Sequence, residues 1–348
     1  MPRSPIASGV LLAAIAAVAF GVATPIVAWS GQSVGPLATA SLLYVGAAAV
    51  ALVFLRVRPS GDANLRRSDG IRLVLIAAAG GAIAPSLLAW GLQRSGPTAG
   101  ALLLNLEAVF TILLARAWFR EPVGRRVALA MVCMVLGGVA LTLDTATSGG
   151  VGVAGVVAVT VATAAWALDN TWTRSLAERD PFQVIAVKGA LGASLTAVAA
   201  IARGEPLPAI VPAVVLVACG ATGYGASLYL YMLAQRRIGA GRTGSVFALA
   251  PFIGAALGWT LGDRHAGALA VAAAGLFGLG VYLHLGERHG HRHAHERLEH
   301  EHMHRHDDGH HAHSHDPPVV GPHSHAHVHE PIEHDHEHAP DVHHGHGH

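Results

Sequence analysis

The sequence predicts an all-α polytopic membrane protein: ten transmembrane helices as two inverted five-helix repeats, followed by a disordered His-rich tail. Three observations carry this. Charge is too thin for a water-facing surface, the apolar residues fall into ten blocks long enough to cross a bilayer, and the histidines crowd at one end. Of 348 residues, 52% are hydrophobic and 13% charged. A water-soluble surface normally carries roughly a quarter or more Lys, Arg, Glu and Asp, so a soluble enzyme is excluded. Residues 287–348 hold 23 of the 25 histidines and no aromatic residue, with four arginines against twelve acids, a formal charge of −8 that leaves +9 for the remainder. The two cysteines, Cys133 and Cys219, both lie in apolar blocks, which rules out a disulfide framework and a CxxC metal site.

A helix crosses a hydrocarbon core of roughly 30 Å with about 20 apolar residues. Such stretches lie at 6–29, 35–55, 71–92, 98–118, 125–143, 151–172, 182–202, 210–233, 243–261 and 266–285. The first contains Pro25 and runs on into further spans, so it reads as a retained helix rather than a signal peptide. Lys and Arg beside span ends are held on the cytoplasmic side. With the N-terminus inside, the inner flanks collect Arg3; Arg56, Arg58, Arg66, Arg67 and Arg72; Arg116, Arg120, Arg125 and Arg126; Arg174 and Arg179; Arg236, Arg237 and Arg242. The outer flanks hold Arg94, Arg203 and Arg264. An even number of spans then puts both termini in the cytoplasm, in a multi-pass protein of the cytoplasmic (inner) membrane.

The halves echo each other. Leu104-Asn105-Leu106-Glu107-Ala108-Val109-Phe110 precedes Phe119-Arg120-Glu121 in the first, and Ala248-Leu249-Ala250-Pro251-Phe252 precedes Leu261-Gly262-Asp263 in the second. The expected organisation is a five-helix repeat at 1–143, a second at 144–286 and the tail at 287–348. Five is odd, so the second repeat is upside down relative to the first, as in secondary transporters with a mid-membrane site between halves.

The run from Leu228-Tyr229-Leu230-Tyr231-Met232 through Gln235-Arg236-Arg237-Ile238-Gly239 to Pro251 and Asp263, with its first-half partner ending at Glu121, resembles the EamA-type drug/metabolite transporter superfamily over about residues 6–285. Trp166-Ala167-Leu168-Asp169-Asn170 and Lys188-Gly189 resemble a bacterial branch of it in which some members end in His-rich tails. Ala108 stands where the family often has Pro, and Asp263 where it often has Glu. The resemblance implies ten helices around a central cavity and transport of small metabolites, often outward.

Ionisable side chains at bilayer depth usually face a cavity or a partner, and here they are Glu107, Asp169 and Lys188. Glu107 is about nine residues into its span, roughly 14 Å at 1.5 Å per residue. It is a candidate for proton coupling or substrate binding, with a hydrogen-bonded packing role as the alternative. Asp169 is expected near the cytoplasmic end of the sixth span. Lys188 either snorkels to the inner interface or faces the cavity, and a pair with Asp169 near the cytoplasmic mouth is a further expectation. Thr163, Trp166, Asn170 and Thr173 share one helical face, as do Tyr224, Ser227, Tyr231 and Gln235, and Ser86, Trp90 and Gln93. From these stripes Trp166, Asn170, Tyr224, Tyr231 and Trp90 join the candidates, together with Asn105. Trp29, Trp118 and Trp259 suit an interfacial belt.

The tail alternates His-X-His, as at His289, His291, His293 and His295 and at His323, His325, His327 and His329. Imidazole suits first-row metals, so Ni, Zn or Co are expected ligands of a segment that cannot bury enough surface to fold alone. No required cofactor and no nucleic-acid partner are expected. The sequence therefore reads first as an exporter of a small organic metabolite or amino acid in contact with membrane lipid, with proton coupling and divalent metals bound at the tail. The alternatives are a divalent-cation transporter and a non-transporting membrane metal sensor.

Overall fold

A computed structural model describes residues 5–57, 63–119, 123–147, 152–176, 179–238, 240–263 and 267–285, with four segments of the tail. Arg3, Arg58, Arg120, Glu121, Arg264, His265 and His295 lie outside the described residues. The body is all-α. Its helices are α1 (Ala7–Ser33), α2 (Pro36–Val57), α3 (Arg67–Ser95), α4 (Pro97–Trp118), α5 (Arg125–Thr147), α6 (Gly152–Leu176), α7 (Pro181–Ala202), α8 (Ile210–Gln235), α9 (Arg242–Thr260) and the shorter α10 (Ala268–His284). In lipid every backbone polar group must be paired within the chain, which apolar runs of this length achieve only as helices. Proline opens α2, α4 and α7, where its missing N–H has no helical partner to lose. Pro25, by contrast, is carried inside one continuous helix.

The packing has the symmetry that the repeat requires. Exchanging α1–α5 for α6–α10 maps the α1–α8 contact onto α6–α3, α1–α9 onto α6–α4 and α2–α8 onto α7–α3. The α2–α7, α4–α9 and α5–α10 contacts map onto themselves. Irregularities repeat as well. A π-helical stretch interrupts α3 at Ala77–Ile83 and α8 at Gly220–Ala226, and α4 and α9 are each broken near the middle, at Leu104–Asn105 and Ala248–Leu249. In α9 the break precedes Pro251, which lacks a helical donor. In α4, Ala108 replaces that proline, yet the break persists. There the amides of Leu104, Asn105 and Glu107 bond three residues back, at 3.1–3.2 Å, and Asn105 Nδ2 donates to the Leu102 carbonyl at 2.8 Å. A side-chain donor satisfies the backbone group that the bend exposes, and this is the role the structure gives Asn105.

Polar contacts tie the helix ends on each face. On the arginine-rich face, Arg179 Nε meets Asp69 Oδ2 at 3.0 Å, the Asp180 amide donates to the Ala63 carbonyl at 2.8 Å, and Gln183 Oε1 accepts from the Leu65 amide at 2.9 Å. On the opposite face three carboxylates cap helices of the other half. Glu205 accepts from the Leu37 and Ala38 amides at 3.2 and 2.9 Å, Asp263 from Thr98 at 2.8 Å, and Asp144 from Gly267 at 3.1 Å. The family-motif acid Asp263 is thus a cap at the start of α4, beside Gly96, whose φ of +80° makes the one-residue turn between α3 and α4. Asp263→Ala is expected to cost about 1 kcal/mol, as loss of a helix cap does, with a lowered thermal midpoint in detergent.

In the tail, His289–Ala294 pairs antiparallel with Glu333–His338, and Leu298–His304 with His323–His329. The His-X-His alternation has the period of a strand. Two-stranded ribbons are marginal in water without a third strand or a covering layer, so these ladders supply no core of their own.

Candidate functional site

The polar interior is assembled around α6, whose neighbours are α3, α4 and α5. Gly80 lies in the π-helical stretch of α3, thirteen residues from Arg67 and fifteen from Ser95, and the Asp169 carboxylate packs directly against it, on the spot a Cβ would occupy. A π-turn also leaves a carbonyl available to other donors. The Gly80 oxygen takes two: Trp166 Nε1 at 3.2 Å and the Tyr44 hydroxyl from α2. One backbone oxygen thereby fixes two aromatic side chains near the middle of the bundle.

Asp169 was expected near the end of its span. The structure corrects this: α6 runs on to Leu176, and Asp169 lies level with the middle of α3. Its Oδ2 accepts from Lys188 Nζ of α7, and Thr173 Oγ1 reaches Oδ1 at 3.4 Å. Asp169 is 2% exposed and Lys188 15%, so the lysine turns inward to a buried partner rather than snorkelling to the interface. Glu107 follows the break in α4, and its Oε1 accepts from Asn170 Nδ2 at 2.6 Å. Glu107 is half-buried and Asn170 exposed, so this bond lies on the accessible side of the cluster. Glu107 is also within electrostatic reach of Asp169 and Lys188.

Aromatic rings from both halves meet beside these groups. Tyr224 on α8 has its ring centroid 5.7 Å from Phe20, 6.0 Å from Tyr44 and 6.5 Å from Trp166. Phe247 is 5.7 Å from Phe20 and 4.9 Å from Tyr231, edge to face. The structure therefore gathers Glu107, Asp169, Asn170, Lys188, Trp166 and Tyr224, with Tyr231 one ring further out. It leaves Trp90 apart, at the other end of α3 beneath the Arg94 guanidinium, 3.8 Å from the ring centroid. Its stripe-mate Gln93 bonds the Gly31 and Val34 carbonyls at 2.6 and 3.2 Å, and Ser227 of the α8 stripe donates to the Ala16 carbonyl at 2.8 Å, so both tie helices together.

Tyr44, Gly80, Phe20 and Phe247 are the members that sequence reasoning missed. The small-residue run Ala77-Ala78-Ala79-Gly80-Gly81 is of the kind that lets helices approach closely in lipid, but a backbone acceptor leaves no trace in residue type. Among the described residues no three His, Cys, Asp or Glu side chains converge as metal ligands.

The EamA-like transporter family profile matches twice, over residues 7–143 and 153–286. An "Uncharacterized transporter" of Methanothermobacter thermautotrophicus is 28% identical over 264 residues, which cover 69% of this chain and 75% of that protein. A crystal structure that is 17% identical superposes with a TM-score of 0.58, covering 80% of this chain and 96% of the other. At that identity it speaks for the fold alone.

Proposed function

The chain belongs to the EamA-like transporter family, and from this premise we propose that it exports a small organic metabolite or amino acid across the cytoplasmic membrane through the site on α6. It is a multi-pass membrane transporter. The observation that carries the finer reading is the placement of Glu107–Asn170 and Asp169–Lys188 beside rings contributed by both halves. An inverted-repeat carrier binds its solute between the halves, and ionisable groups at bilayer depth mark such pathways. The arginine-rich face is the cytoplasmic one in this reading, by the positive-inside rule, and both termini lie there. Glu107 is the coupling or substrate carboxyl.

Cells expressing or lacking the protein, challenged with amino acids, amines and Ni, Co and Zn salts, test this reading. Resistance to an organic solute, with counterflow of that solute in proteoliposomes, is the expected result. A phenotype confined to the metals overturns it in favour of divalent-cation transport.

The tail is proposed as a metal-binding appendage. Truncation after Leu285 leaves α1–α10 intact, so solute transport in chelated medium should be unchanged within twofold. Binding of several Ni or Zn ions per chain, measured by equilibrium dialysis, should vanish. In the full-length protein that binding should weaken as pH falls below about 6, where protons compete for free imidazoles. Loss of transport of a metal by an inserted, folded truncate would make the tail a delivery element instead.

A further inference from the structure

The two ladders of the tail set histidine opposite histidine. In the first, His289 faces His338, His291 faces His336 and His293 faces His334. In the second, His300 faces His327, His302 faces His325 and His304 faces His323. Leu298 lies nine residues after His289, and its partner His329 lies nine before His338, so the second ladder continues the register of the first.

Charge alone would favour another pairing. A slip of one residue would put His289, His291 and His293 opposite Glu337, Asp335 and Glu333, where a protonated imidazole meets a carboxylate across the strands. In the observed register those acids fall at the intervening positions, opposite Gly290, Arg292 and Ala294, while Glu299 and Glu301 lie opposite Val328 and Ala326. In neither ladder does an acid face a histidine. Because strand residues alternate between faces, the paired histidines of each ladder share one face.

That juxtaposition is a nitrogen-donor site waiting for its ion. Directly opposite residues of an antiparallel pair have Cβ atoms about 4.5–5.5 Å apart, and the next histidine along a strand is about 7 Å away at 3.4 Å per residue. Imidazoles at such spacings can close on an ion that binds nitrogen at about 2.0–2.1 Å, and two neighbouring cross-strand pairs offer four donors. Nitrogen donors favour first-row dications such as Zn over Mg and Ca, which take oxygen. A two-stranded ribbon is marginal by itself, so the energy of metal binding becomes folding energy.

We infer that Zn acts as a clasp on the tail: each ladder holds one tetrahedral ion between its strands, through histidines contributed by both, and the ion closes the ribbon. This rests on the metal-binding reading of the tail and deepens it. Three cross-strand pairs per ladder supply one four-coordinate site but not two, so the tight sites number two per chain and further ions bind more weakly. His302 and His325 form the central pair of the second ladder, and they belong to its site whichever neighbouring pair completes it.

Zn titration of the full-length purified protein in detergent, after chelator treatment, is the test. Equilibrium dialysis counts the ions, and the zinc-induced amide I difference spectrum reports strand formation. Two tight ions per chain are expected, with a strand signal that saturates as the second binds, and a hundredfold excess of Mg or Ca should displace neither. His302→Ala and His325→Ala should each weaken one tight site at least tenfold and remove about half of the strand signal. The double variant should lose little more than either single one, because both act on the same ion. Removing His310 and His311, which lie between the two arms in sequence, should change the tight sites by less than twofold.

Equal losses from the two pairwise removals, or tight binding without a strand signal, would mean that unpaired chain chelates the ions and would overturn the inference. A strand signal that appears only with dimerisation overturns it too, since the histidine pairs would then lie between chains. These outcomes leave the metal-binding reading of the tail standing. Absence of Zn binding by the full-length protein removes both.

Discussion

Replacing Lys188 with Ala is expected to remove most of the folded protein. Asp169 is 2% exposed and has Lys188 as its counter-ion, and Glu107 lies within electrostatic reach of both. Removing one partner of a buried pair leaves an uncompensated charge, which costs about 3–5 kcal/mol, a large fraction of the roughly 5–15 kcal/mol that holds an ordinary domain together. The double variant Asp169→Asn with Lys188→Gln deletes both charges and keeps the volume, so it should be more stable than Lys188→Ala alone. Thermal unfolding in detergent, read by the monodisperse fraction after heating, checks the order of the two. Additive losses from the single changes would mean that the pair is not coupled. A pair of this kind is not retained for stability alone, since apolar replacements of equal volume often match it. The pair packs against Gly80, whose carbonyl holds the Trp166 and Tyr44 side chains.

The sequence disclosed the scaffold because the bilayer imposes length and polarity on every span. Ten apolar blocks with arginines at alternate ends predict ten helices, and the contact pattern repeats under exchange of the halves. Glu107, Asp169 and Lys188 were legible for the same reason, since an ionisable side chain inside an apolar run is conspicuous. Depth was less legible. Ending the sixth span at residue 172 placed Asp169 near an interface, whereas α6 continues through Trp172 and Thr173 to Leu176. Tyr44 was missed because a lone tyrosine in an apolar run reads as packing, and its donor role depends on a carbonyl freed by a π-turn in another helix. Helical spacing also overcounted. Ser227 shares a face with Tyr224, and Trp90 and Gln93 share one with Ser86, yet Gln93 and Ser227 are committed to helix-tying bonds and Trp90 to a cation contact at the far end of α3. Periodicity assigns a face, and only the partner helix decides what that face meets.

Gly46→Val and Gly220→Val should both prevent assembly of the bundle. The α2–α8 crossing interlocks these two glycines. A Cβ on Gly46 would overlap the Val217 carbonyl oxygen and come within 2.6 Å of the Ala221 nitrogen, and one on Gly220 would overlap the Leu43 carbonyl oxygen. In lipid, helix association rests on close packing rather than on the hydrophobic effect, so separating the backbones removes much of what joins them. Ordinary overpacking costs about 1–3 kcal/mol because neighbouring side chains can rotate away. Here the obstacle is backbone, which has no such freedom, and the cost should exceed that range. Glycine composition alone does not predict this, because a Cβ at Gly275 or Gly278 of α10 would meet nothing within 4 Å among the described residues. Gly275→Val and Gly278→Val should therefore stay within about 0.5 kcal/mol of the parent. Size-exclusion profiles of the four variants in mild detergent give the comparison. Folded protein from Gly46→Val and Gly220→Val at the level of the α10 variants would mean that α2 and α8 do not approach this closely in the membrane.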